Sequence, residues 1–427
     1  MTQRRRRNAP HRQRRVARRT VLLGLGAAAL AAGGLWLRRK TLPADGPAQE
    51  EPSGSAPEPN PALPAGEWRA MWVSYLEWSQ MDFSSEEAFR ADVAQLMDNC
   101  VTLGLNTVLA QVRPFGDALY SSALFPWSHL CTGTQGVDPG FDPLDILILE
   151  AHARGLSLEA WLNPYRLRSS EAMPPNLAAE NLANTHPEWV CAVNGGLYLN
   201  PALPDAAAYV VQGVAELVER YAVDGIHFDD YFYPTTDLSL DEAQFAASGA
   251  VELGAWRRQN VTALVKAAHD AVKAADPTLR FGISPQGNPD NDRNQQYSDV
   301  DAWLAAEGAD TVVDYLCPQI YWGYGYTLQS GSTRFAFENI VSEWMSMPRA
   351  AGTALYFGLG AWRIGEGDGG ANEDSTAQWN TGSALARQVQ DLRARGAQGW
   401  ALYRYGSLFG DTQNDLAAAE CAALAGL

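Results

Sequence analysis

Asp224–Pro234 reads DGIHFDDYFYP: a short apolar, β-favouring run that stops at two adjacent carboxylates, then aromatics, then a proline. Side chains alternate along a strand, so His227 and Asp229 share one face and Asp230 takes the other. A strand that ends in paired acids is the pattern expected where strand ends carry chemistry. Working outward, the same rhythm recurs. β-rich runs occur at Arg69–Ser74, Asn106–Val112, Leu156–Leu162, Gly225–Phe228, Arg280–Ser284, Val312–Ile320, Ala354–Leu359 and Gly399–Tyr403. Each is followed by a helical pattern, at 84–103, 143–154, 205–221, 253–275, 300–306, 335–345, 377–395 and 415–424. Ser84 and Glu87 have the spacing of a capping box at the first of these helices. Strands without clean polar alternation, separated by helices, predict a parallel sheet buried on both faces. Eight such units predict an α/β fold of the (β/α)8 barrel type, with long loops after the strands. An open doubly wound sheet would call for a glycine-rich phosphate loop after the first strand, and SYLEWSQMD is unlike one.

The chain has 427 residues, 46% of them hydrophobic, and a net charge of −17. That charge is unevenly spread. Residues 1–40 hold twelve Lys and Arg and no acid, so residues 41–427 carry −29. A body so acidic argues against nucleic acid as a partner. Arg18-Arg19-Thr20 precedes seventeen uncharged residues, Val21–Leu37, the layout of an export signal in a loosely twin-arginine context. Cleaved export and a retained membrane anchor both remain open, and both place the body outside the cytoplasm. Seven prolines in 41–66 predict a disordered linker, leaving 67–427 as the folded domain. Five cysteines, an odd number without CxxC spacing, speak against a zinc site and a disulfide framework and read as mostly isolated core residues, with one or two bridges left open. No cofactor motif stands in a supporting context. Gly365–Asp374, GEGDGGANED, lacks calcium-loop spacing and is expected to be a mobile acidic loop.

In such a barrel the chemistry gathers at the C-terminal strand ends. There the sequence offers Gln111, Arg113 and Asp117; Asn163, Tyr165 and Arg166; Asp229, Asp230 and Tyr231; Ser284, Gln286 and Asn288; Gln319, Tyr321 and Trp322; Trp362 and Arg363; Arg404 and Tyr405. Aromatic faces, amides and guanidinium groups with few carboxylates suit a sugar cleft. Glycoside hydrolysis needs an acid for the leaving oxygen and a group to stabilise an oxocarbenium-like centre. Asp229 is expected to point into the barrel mouth as nucleophile or electrostatic stabiliser, and Asp230 to turn with the loop as the acid or its orienter. The alternative is that one of the two only caps the loop. His227 is either a substrate contact or a core histidine beneath the site. A second carboxylate elsewhere is not obvious; Glu77, Asp117, Asp290 and Asp292 lie in loops that could reach the mouth. With one acid only, the substrate's own acetamido group could act as nucleophile.

The blocks RAMWVSYLEW, LNTVLAQVRPFGDALYSS, GLSLEAWLNPYR, VDGIHFDDYFYP, FGISPQGN, DYLCPQIYW and GWALYRYGSL occur in order over residues 67–410. Together they resemble the glycosyl-hydrolase-like family ten. The resemblance implies a (β/α)8 barrel on exported bacterial proteins or lipoproteins. It also implies a glycosidase acting on cell-wall glycan, on strands stripped of stem peptides, and its carboxylate motif falls on Asp229 and Asp230. No lipobox cysteine follows the apolar run here, so a lipid anchor is not implied. A non-catalytic glycan-binding barrel, or a glycosidase for another polysaccharide, stands as the alternative.

Overall fold

The computed structural model describes residues 66–410 and 414–427. The predicted segments at 1–40 and 41–66, with the export signal and linker, lie outside the described residues except for Gly66. Eight parallel strand positions form a closed ring. The first five are Trp68–Val73, Thr107–Arg113, Ser157–Leu162, Gly225–Phe228 and Arg280–Ile283. The eighth, Gly399–Tyr403, pairs with the first through Ala70 opposite Ala401.

Strands six and seven, each expected as one run, are each broken in two. The sixth is Tyr315–Leu316 and Gln319–Ile320, separated by Cys317 and Pro318. Proline has no N–H to give the ladder. The Pro318 carbonyl still accepts from Gly358 N at 2.8 Å, and Cys317 N donates to Ile283 O at 2.8 Å, so pairing runs through the break. The seventh is Ala354–Leu355 and Phe357–Gly360, bridged by Tyr356 N donating to Leu316 O at 2.9 Å.

Helices Glu86–Thr102, Pro143–His152, Pro204–Arg220, Leu253–Ala275, Val300–Ala305, Phe337–Ser346, Ala384–Ala394 and Asp415–Ala425 follow the strands in turn. The helix expected at 377–395 is shorter, because Gln378–Asn380 is a separate 3-10 turn. The predicted capping box also moves. Ser85, not Ser84, caps the first of these helices, by accepting from Ala88 N at 3.1 Å. A reciprocal box forms instead at Ser74 and Glu77, in the turn after strand one.

Period-two alternation sorts the strand residues into two cores. Val108, Ala110 and Val112 face outward against the helices. Trp68, Ala70, Trp72, Leu109, Trp161, Tyr315, Cys317, Tyr356 and Ala401 fill the lumen. Each fully buried aromatic stabilises the fold by roughly 1.5–3 kcal/mol. Of the cysteines, Cys100, Cys131 and Cys317 are buried, Cys191 and Cys421 half-buried, and all five are free thiols.

The loops after the strands are long and carry structure of their own. Past strand three, Arg166–Arg168, Val190–Val193 and Gly196–Leu199 make a small antiparallel sheet that the sequence reading did not anticipate. The acidic loop at 365–374 is pinned rather than loose. Asp368 is buried and accepts from Gly323 N at 2.9 Å, Gly370 N at 3.1 Å and Trp379 Nε1 at 3.3 Å.

Candidate active site

The ring places Asp229 immediately after Phe228, at the mouth. Strand pairing sets Trp161 beside His227 and Leu162 beside Phe228, which brings Asn163 level with Asp229. The Asn163 amide donates to Asp229 Oδ2, and Gln111 Nε2 donates to Asn163 Oδ1 at 2.5 Å. Gln111 is in turn held by Tyr75 N, which donates to its Oε1 at 2.8 Å. Asp229 Oδ1 accepts from Tyr231 N at 3.2 Å. Asp230 accepts from Gln319 Nε2 at 3.1 Å, and the same Nε2 donates to Ser284 O at 3.0 Å.

Both aspartates therefore line one cleft, although strict alternation predicted that Asp230 would turn away. The strand ends at Phe228, so the pleat no longer governs the two residues that follow. The cleft holds about 200 Å³, roughly the scale of a single sugar ring. Asp229, Asp230, Tyr231, Ser284 and Gln319 form one side; Trp72, Trp161, Tyr321, Trp362 and Tyr403 supply the aromatic surface. Tyr321 stacks on Tyr403 with centroids 5.7 Å apart and meets the Trp362 ring edge-on at 6.3 Å. Arg166 leans over the Tyr231 ring at 5.5 Å, its Nε donating to Pro114 O at 2.8 Å.

Burial dominates the electrostatics. It pushes the Asp229 carboxyl up to about 7, and the neighbouring Asp230 adds to the rise. Arg166, the Tyr231 N–H and the Asn163 amide pull the other way. The Asp230 carboxyl is also raised, by burial first, against the Gln319 and Gln286 amides. Two adjacent acids with raised pKa values in a cleft can hold a proton near neutral pH, which is what a general acid requires.

His227 is fully buried below this floor, and burial lowers its pKa to about 3. It is the core histidine of the two readings. Three other expected contacts do not reach the cleft. Arg113 lies under helix Pro204–Arg220, with its guanidinium over the Phe125 ring at 4.4 Å. A Cβ on Gly213 would sit 2.4 Å from Arg113 Nη1. The cause is a register shift between Gln111 and Arg113, which turns Arg113 off the inner face. Tyr165 is wholly buried within the loop core. Trp322 stacks on Phe335 at 5.1 Å, because Gln319 and Tyr321 take the inner face and leave it the outer one.

None of the four loop acids reaches the cleft. Asp117 accepts from Gln135 Nε2 at 2.9 Å in a buried pocket, and Asp290 pairs with Arg334. Asp292 is buried, accepting from Gln286 N at 2.9 Å. Glu77 pairs with Arg404 and accepts from Gly406 N at 2.9 Å and from Ser74 N at 2.7 Å. Arg404 is thus a half-buried rim residue held by Glu77. Glu77→Ala strips the acceptor from a guanidinium and two backbone N–H groups. It is expected to cost about 2–3 kcal/mol, read from urea unfolding. The lumen residues Trp72, Trp161 and Tyr403 were not anticipated as site residues. Counting back by two from Ser74, Asn163 and Tyr405 would have found them.

The chain is 34% identical over 347 residues to "Glycosyl hydrolase YngK" of Bacillus subtilis (strain 168), covering 76% of this chain and 65% of that protein. The chain therefore spans just under two thirds of the length of this relative. It is 32% identical over 353 residues to "Glycosyl hydrolase DigH" of Escherichia coli (strain K12), covering 74% of this chain and 78% of the relative. Among solved structures, the PgaB (BpsB) glycoside hydrolase domain from Bordetella bronchiseptica superposes with a TM-score of 0.52 at 15% identity. That match covers 84% of this chain and 98% of that one, and at this identity it speaks for the fold alone. The glycosyl hydrolase-like 10 profile matches residues 67–376, and the chain belongs to that family.

Proposed function

We propose that this protein is an exported glycosidase that cleaves N-acetylated amino-sugar strands of the bacterial cell wall by a substrate-assisted route. One observation carries the reading: the only carboxylates lining the cleft, among the described residues, are the adjacent Asp229 and Asp230 at one strand end. In an eight-stranded ring, strand four stands across from strand eight, and that far wall is aromatic, with Tyr403 beside Trp72. Among the described residues no acid lines that wall to attack the opposite side of the sugar; Glu77, behind it, is tied to Arg404 and the Gly406 N–H. The two-carboxylate geometries place an acid on each side of the bond. A 2-acetamido oxygen on the substrate itself supplies the missing nucleophile. Asp229, already tied to Asn163 and the Tyr231 N–H, orients the acetamide and stabilises its developing charge. Asp230 protonates the leaving oxygen. Tyr231, Tyr321, Trp362 and Tyr403 supply the stacking faces, and Gln319 and Arg166 hold the acids in place.

The family resemblance and the basic, apolar N-terminus of the sequence support a cell-wall substrate and an extracytoplasmic location, secreted or membrane-anchored. A barrel that only bound glycan would have no need of paired acids with raised pKa values. The test is incubation of the purified protein with peptidoglycan strands freed of stem peptides, followed by mass analysis of soluble saccharides. Release of N-acetylated saccharides, blocked by an N-acetylglucosamine thiazoline, is the expected result. Equal cleavage of strands whose amino groups have been chemically deacetylated would sink the substrate-assisted route. No release from any cell-wall strand would sink the substrate assignment.

A further inference from the structure

Below the aspartates a line of polar groups runs through the middle of the barrel, where an aliphatic core would be expected. Glu159 of strand three is fully buried, its Oε2 within 2.5 Å of the Tyr315 hydroxyl. That hydroxyl lies 2.8 Å from His227 Nδ1. His227 Nε2 faces the Trp72 indole N–H at 3.2 Å and Ser284 Oγ at 3.0 Å. Trp72 and Ser284 are both walls of the cleft. Arg280 closes the lower end, 3.6 Å from Glu159 Oε1 and 4.5 Å above the Tyr315 ring.

The proton positions along this line follow from chemistry. An indole N–H can only donate, so His227 Nε2 must be bare. A neutral imidazole then carries its proton on Nδ1, which donates to Tyr315 Oη. The Tyr315 hydroxyl is left to donate its own proton to Glu159. Reversing any link would set donor against donor in a buried place, a loss of about 1–3 kcal/mol for each group left unsatisfied.

We propose that Glu159, Tyr315 and His227 are positioning residues. They fix one imidazole tautomer and thereby hold the Trp72 ring and the Ser284 hydroxyl in the geometry that receives the sugar. The groups facing His227 are Trp72 from strand one, Trp161 from strand three, Arg280 from strand five with Ser284 just past its end, and Tyr315 from strand six, with Glu159 of strand three behind the Tyr315 hydroxyl. Of these Arg280 carries charge and Glu159 is titratable, its carboxyl pushed up to about 7 by burial against the pull of Arg280 and the Tyr315 hydroxyl. Burial first, and then Arg280, opposes a charged imidazole, so the ring stays neutral in the working protein. If the imidazole flipped to the Nε2–H form, its proton would meet the indole N–H and push Trp72 toward the cleft.

The activity arm of the test rests on the glycosidase reading; the spectroscopic arm does not. In protein labelled with ¹⁵N-histidine, the His227 ring nitrogens are expected to report Nδ1 protonated and Nε2 bare, unchanged from pH 5 to pH 8. Tyr315→Phe is expected to give a tautomer mixture and to lower kcat/KM on the glycan about 10- to 100-fold, the effect of a misplaced cleft wall. That loss should fall on KM, with the limbs of the pH profile unmoved because the aspartates are untouched. Glu159→Gln keeps an acceptor oxygen for Tyr315 and is expected to retain the Nδ1–H form. A protonated Nε2 in the native protein, titration of His227 within that pH range, or a native tautomer in Tyr315→Phe would each overturn the proposal. The first two need no variant to fold. If the native protein cleaves no glycan, the function reading fails while the nitrogen measurement still decides the tautomer.

Discussion

Asp230→Asn is expected to lower kcat on N-acetylated glycan by about 10²–10⁴-fold, the range of a lost general acid. On an aryl glycoside, whose leaving group needs no proton, the same variant should lose far less. Asp229→Asn should lose activity on both substrates, since orientation of the acetamide is needed whatever leaves. Steady-state kinetics on the paired substrates separates the roles. An Asp230→Asn variant equally poor on both would reassign the acid. The same substitutions carry a second, opposite signature. Burial raises the folded-state pKa of these carboxyls above the unfolded value of about 4, so the native state binds more protons between the two values. Stability therefore falls as pH rises from about 4 toward about 7, and the pair weighs against the fold at neutral pH. Asp229→Asn removes that charge, and at pH 7 it should be more stable than the parent by the order of a few kcal/mol, with the gain fading near pH 4. A pair of acids that weighs against the fold at neutral pH is held for its chemistry, as strained sites often are.

The ring could be read from the sequence because its signal is repetitive. Short apolar runs and helical patterns alternate eight times, and closure follows from parallel strands that must bury both faces. Asp229, Asp230, Asn163 and Tyr321 could be placed for the same reason: they follow runs whose ends are sharp, and Gln319 is the last but one residue of such a run. The failures have local causes. Arg113 stands only two residues past Gln111, but the intervening shift in pairing is a three-dimensional event that leaves no mark in VLAQVRP. Tyr165 and Trp322 have the composition of sugar platforms, yet long loops bury the first and alternation turns the second outward. The lumen line of Glu159, Tyr315 and Arg280 was invisible because its members are far apart in sequence and lie in runs that read as ordinary strand. A charged residue in such a run, as in LSLEAWL, is the trace it leaves.

Gly282→Ala is expected to be the most damaging single methyl group in the barrel. Its Cβ would lie 1.9 Å from Tyr315 Cζ and 2.1 and 2.3 Å from the two Cε atoms, inside the ring's own volume. The ring has nowhere to go. Its hydroxyl is held between Glu159 and His227, and its faces lie against Arg280, Trp68 and Tyr356. Overpacking alone costs about 1–3 kcal/mol. Here the displaced hydroxyl also leaves a buried carboxylate and an imidazole without their partners, adding about 1–3 kcal/mol for each. A loss of at least about 3 kcal/mol is a large part of the ~5–15 kcal/mol that keeps a domain folded. Thermal unfolding followed by circular dichroism should therefore show a much lower midpoint, or no cooperative transition at all. Removing the obstacle distinguishes a steric cause from a backbone one. Gly282→Ala combined with Tyr315→Val should be more stable than the sum of the two single losses allows, with a coupling of about 1–3 kcal/mol. Strict additivity would mean that the glycine serves the strand's own conformation, and that the Tyr315 ring is not what keeps a side chain out of that position.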